Sequence, residues 1–73
     1  MAGDPISPDH YARLDPEPID VIEAWGLGYH MGNALKYIAR AGRKDRTRYA
    51  EDLRKAAWYL TREAARWDSK TTR

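Results

Sequence analysis

The chain has 73 residues, with thirteen Lys or Arg, eleven Asp or Glu, two His and no Cys. That length allows one domain with a small core, and the lack of cysteine excludes disulfides and thiolate metal sites. No apolar run reaches the roughly 18 residues a membrane helix needs. The N-terminus lacks the basic and apolar regions of a secretory signal, which sets the expectation of a cytoplasmic protein, in whatever cell makes it.

Charge is unevenly placed. The first 35 residues hold six carboxylates against one arginine, and the remainder holds twelve cations against five carboxylates. This contrast suits an anionic ligand such as a nucleotide or nucleic acid. It equally suits electrostatic pairing between subunits, or a solvated charged surface.

Residues 1–17 are expected to be extended, because Pro5, Pro8, Pro16 and Pro18 break each helical register. His10 and Tyr11 stand out in this segment. Tyr11 is placed as a lid on the core, with His10 beside it on the surface. A first helix is expected from Pro18 to Trp25. Proline suits the first helical position, Asp20 and Glu23 complement the dipole, and Gly26 supplies a left-handed stop. A second helix is expected from Tyr29 to Ala41, ended by Gly42. Met31, Ala34, Leu35 and Ile38 would form its apolar face, with Asn33, Lys36, Tyr37 and Arg40 opposite. After a basic connection, Arg43 to Arg48, a third helix is expected from Tyr49 to Trp67. Leu53, Ala57, Leu60, Ala64 and Trp67 alternate at spacings of four and three there, the pattern of a packing seam.

The fold expected is all-α: a short first helix plus an antiparallel helical hairpin, one helical domain over 18–67, with 68–73 as a frayed tail. The apolar seam is longer than one such chain can cover, so the fold is expected to be completed by homo-oligomerisation.

Four groups of residues could carry chemistry. The Gly26-Leu27-Gly28 turn, with Gly32 beyond it, precedes a helix start and could hold phosphate. It is not a Walker loop, and its glycines serve as well for helix punctuation and close packing. Asn33, Lys36 and Arg40 share one side of the second helix. Asparagine can bond an amide or sugar there, and the cations can neutralise phosphate, arginine through a two-pronged fork. Tyr37 beside them could stack a base or cap the core. At the start of the third helix, Asp52 could pair with Arg40 across the hairpin or hold Mg²⁺ for a nucleotide, with Lys55 and Tyr59 one and two turns on. His10 and His30 lack the spacing of a zinc site, and an uncharged His30 is favoured at a helix start. No nucleophilic triad is present, so nothing points to hydrolase chemistry.

These residues resemble a family of short phage proteins of unknown function whose domain is shared with the T7-like phage nucleotide kinase. The resemblance runs from Pro8 to about Glu63. It is carried by His10-Tyr11, by Ile19 to Ala24, by Gly32 to Ile38 with Arg40, by Glu51 to Ala56, and by Trp58-Tyr59-Leu60. It implies a nucleotide-binding protein, with kinase-like phosphotransfer at a subunit interface as one form. Through the family pattern it implies a site drawn from His10, Tyr11, Asp20, Asn33, Lys36, Tyr37, Arg40, Asp52, Lys55 and Tyr59, with Mg²⁺ as cofactor if the protein is an enzyme. Sequestration of a host nucleotide signal without turnover is a second form. A host-protein or nucleic-acid module using the Lys36–Arg48 surface is a third.

Overall fold

The computed structural model describes residues 14–43 and 45–71, so His10 and Tyr11 lie outside the described residues. Within them the chain is all-α, with helices α1 (Pro18–Trp25), α2 (Tyr29–Arg40) and α3 (Tyr49–Thr71), and a 3₁₀ turn at Arg46–Arg48. No strand occurs among the described residues. None of their helices is long and apolar enough to cross a membrane.

Local chemistry accounts for each boundary. Pro18 opens α1, and Gly26 closes it at φ 65°, with its N–H donating to the Glu23 carbonyl. That left-handed position costs a residue with a Cβ about 1–2 kcal/mol. Gly42 has the same role just past the Ala41 cap of α2, at φ 72°. A Cβ there would also come within 2.9 Å of the Tyr49 ring. The basic connection is more ordered than its composition suggests. Asp45 caps the 3₁₀ turn by accepting from the Thr47 N–H at 3.0 Å and the Thr47 hydroxyl at 2.6 Å. Those bonds hold its carboxyl below the ordinary aspartate value.

The hairpin of α2 and α3 forms the body of the molecule, and α1 packs on α2. Gly32 is buried where α1 crosses, and a Cβ there would stand 3.5 Å from Ile22. The glycine of the second helix therefore serves close packing. Between α2 and α3 the buried residues are small: Ala34 and Ala56, together with the carboxylate of Asp52. Rings complete the contact. Tyr59 meets Tyr29, His30 and Tyr37 of α2 with centroids 5.9–6.3 Å apart.

Two expectations are corrected. First, α3 continues through Asp68 to Thr71 instead of ending at Trp67. Second, the Leu53–Trp67 seam is not the face that packs on α2. Asp52, Ala56, Tyr59 and Glu63 face the partner helix instead, whereas Leu53, Leu60 and Trp67 are exposed. At about 100° per residue, a shift of one position turns the seam roughly a quarter-turn away from α2. The helices chose the smaller residues because alanines opposite one another let two backbones approach closely while rings fill the flanks.

Candidate functional site

Antiparallel pairing brings the C-terminal half of α2 beside the N-terminal half of α3. Tyr37 and Arg40 thereby meet Asp52, Lys55 and Tyr59. The Tyr37 and Tyr59 rings stack with centroids 5.9 Å apart and planes 17° from parallel. The Arg40 guanidinium lies 5.3 Å from the Tyr37 centroid, and the Lys55 ammonium lies 5.5 Å from it. Cations over an aromatic face are attracted by its quadrupole and held without being neutralised. Desolvation, together with the neighbouring Tyr29 and Tyr37 phenols, holds the Tyr59 hydroxyl above the ordinary tyrosine value.

Arg40 also pairs with Asp52, Nε to Oδ1, at 3.5 Å. The Asp52 side chain is 4% exposed, and both of these atoms are buried without a hydrogen bond. The pair therefore attracts by charge while hydrogen-bonding capacity is left unused, which is uncommon inside proteins. Beside it opens a cavity of about 360 Å³ lined by Arg40, Asp45, Arg48 and Asp52. Arg48 is shared with Glu51 at 3.1 Å and Asp45 at 3.8 Å, and Lys55 reaches Glu51 at 3.3 Å.

The ion pair across the hairpin is thus the arrangement Asp52 adopts. Among the described residues no group of three or more His, Asp or Glu is placed to hold a metal ion.

The other expected residues fall in different places. Lys36 is exposed on α2. Asn33 donates its amide to the Tyr29 carbonyl at 2.8 Å, a bond within its own helix. Asp20 is exposed in the first turn of α1, on a different element. Tyr37 is already stacked on Tyr59, so its ring serves the hairpin contact before it could serve a base.

A second polar cluster was not foreseen. His30 Nδ1 lies 3.1 Å from a Glu63 carboxylate that also accepts from Trp67 Nε1 at 2.9 Å and Arg66 at 2.8 Å. The helical spacing of Glu63, Arg66 and Trp67 is readable from sequence. The tie to His30, 33 positions away, has no local signal.

A model of a protein family of unknown function, DUF3310, matches residues 6–61, and the chain belongs to that family. Curated proteins and solved structures give no match.

Proposed function

We propose that this member of the DUF3310 family binds a nucleotide or another phosphorylated small molecule against the side of the hairpin that carries Arg40 and Lys55. The observation that supports this is the placement of both cations over the Tyr37 ring, beside a polar cavity and a buried, incompletely bonded Arg40–Asp52 pair. Arg40 would offer its guanidinium fork to a phosphate, and Lys36 and Lys55 would add charge from neighbouring turns. Asn33 can reach a base or sugar only by releasing the Tyr29 carbonyl. The ligand would meet the outer guanidinium nitrogens of Arg40, while the buried Nε stays against Asp52.

The finer form of this proposal is a phage protein that captures a nucleotide without turnover. Capture is put ahead of kinase-like transfer because the Asp52 carboxylate faces Arg40 and would have to turn from it to hold Mg²⁺. Phosphoryl transfer depends on metal ions and cations that neutralise the moving group. Calorimetry with linear and cyclic nucleotides tests the proposal: the wild type should bind one class at micromolar or better affinity, and Arg40→Met should lose at least tenfold. No binding by any nucleotide or by a panel of sugar phosphates would overturn it. Transfer from γ-labelled ATP to a nucleoside monophosphate would replace capture with kinase-like chemistry. A salt-sensitive gel shift with DNA, without nucleotide binding, would favour the nucleic-acid module.

A further inference from the structure

Among the described residues, the hairpin leaves a second, apolar face exposed. On α2, Met31, Leu35 and Ile38 lie about a quarter-turn from the line that packs on α3. On α3 the Leu53–Trp67 seam lies about a quarter-turn from the line that packs on α2. Because the two helices are antiparallel, both rotations carry the stripes to the same side of the hairpin. Ile38 then neighbours Leu53, and Met31 neighbours Leu60. These four residues and Trp67 are 52%, 39%, 40%, 42% and 55% exposed, respectively. The face is apolar along both helices, with Ala57 and Ala64 between the larger side chains. Arg40 and Lys55 project from the opposite side.

We infer that this face is covered by the same face of a second copy, forming a two-fold four-helix bundle. Two observations point to a second copy over an unrelated partner. Large residues alternate with alanines along α3, so leucines of one copy find space over alanines of the other. At 23 and 12 residues, α3 and α2 run about 35 Å and 18 Å, so side by side they present roughly 530 Å² per copy, about 1,000 Å² in total and at the small end of specific interfaces. The buried apolar residues among those described are small, Pro18, Gly32, Ala34 and Ala56, and a second copy would supply a core of large residues. The bundle leaves the cationic side of each copy facing outward, and it stands or falls independently of nucleotide binding.

Sedimentation equilibrium between 1 and 200 µM, read with far-ultraviolet circular dichroism, tests the bundle. The wild type should be dimeric in the upper reaches of this range, and Leu60→Glu should raise the dissociation constant at least a hundredfold. Trp58→Arg, on the opposite side of α3, should leave it within threefold. Since the chain has no cysteine, Ile38→Cys and Trp58→Cys give a second measurement that does not require a charged variant to fold. Maleimide should label Ile38→Cys at least tenfold more slowly at 200 µM than at 1 µM, and Trp58→Cys equally at both. A wild type that stays monomeric to 200 µM overturns the inference. So does a dimer unaffected by Leu60→Glu, or concentration-independent labelling of Ile38→Cys.

Discussion

The two broad sides of the hairpin differ in how the chain satisfies them. On the Arg40–Lys55 side, nearly every polar group has a partner from its own chain: Arg40 with Asp52, Arg48 and Lys55 with Glu51, and Asn33 with a helix carbonyl. On the Ile38–Leu60 side, large apolar residues are left in water. The exposed pairs of Arg48 and Lys55 with Glu51 can exchange partners at modest cost, because exposed ion pairs contribute about 1 kcal/mol or less, whereas the Arg40–Asp52 pair is buried at its carboxylate. The apolar side has nothing to exchange and gains only by being covered. The first is suited to a reversible ligand, the second to a lasting subunit contact.

Ala56 lies on the line where the two sides meet, so its enlargement should disturb both. Ala56→Leu adds three carbons to a position 4% exposed against α2. It should cost about 1–3 kcal/mol in urea unfolding and weaken nucleotide binding along with stability. A variant of full stability would show that the hairpin contact is looser than the buried alanines indicate. The Arg40–Asp52 pair separates the ligand side from stability. Asp52→Leu strands a partly buried guanidinium and should cost about 2 kcal/mol, below the figure for fully buried pairs because Arg40 retains some exposure. The double change Arg40→Met with Asp52→Leu should recover most of that loss. Nucleotide binding should still be weakened at least tenfold, because Arg40 is absent. Recovery of both would remove Arg40 from the site. Gly42→Ala should cost about 1–2 kcal/mol through its left-handed backbone alone, with the Tyr49 ring adding to it. Gly26→Ala, which meets open space, should show the backbone contribution only. Equal losses at the two glycines would show that Tyr49 yields freely.

The α1 bounds, the hairpin, the left-handed glycine stops and the Arg40–Asp52 tie were legible in the sequence, because each depends on spacing within a helix or on a pairing of opposite charges. The packing line of α3 was not. A seam of leucines and alanines reads as the buried face whether it is buried by its own chain or by another. Here the neighbouring line, Asp52, Ala56, Tyr59 and Glu63, won the internal contact with a carboxylate and a ring where leucine was expected. The polarity of those residues made them look like surface. Each is accommodated only because a specific partner on α2 stands opposite: Arg40, Ala34, Tyr37 or His30. Such pairings depend on the register of the hairpin, which a helical period alone does not specify. The glycines were ambiguous for a related reason. Only the proximity of Ile22 to Gly32 decides for packing at that position.

The smallest expected effect lies at Glu63. Hydrogen bonds from Trp67 and Arg66, followed by the nearby charges of Arg66 and His30, hold its carboxyl below the ordinary glutamate value, against an opposing contribution from desolvation. A carboxyl depressed in the folded state stabilises the fold above its unfolded value, about 4.3, and loses that contribution as pH falls through the lower folded value. The thermal midpoint should therefore fall more steeply below about pH 4.3 in the wild type than in Glu63→Gln, with the two curves parallel above it. Trp67→Phe removes the leading donor and should flatten the same stretch of the curve while leaving the His30 contact in place. Trp67 also lies on the apolar face. Running the series in the dimeric range and again in the monomeric range separates the carboxylate from the subunit contact. A Glu63→Gln curve that follows the wild type down to pH 3 would place the acid sensitivity elsewhere, with the Asp45 cap of the 3₁₀ turn as the next carboxyl to test.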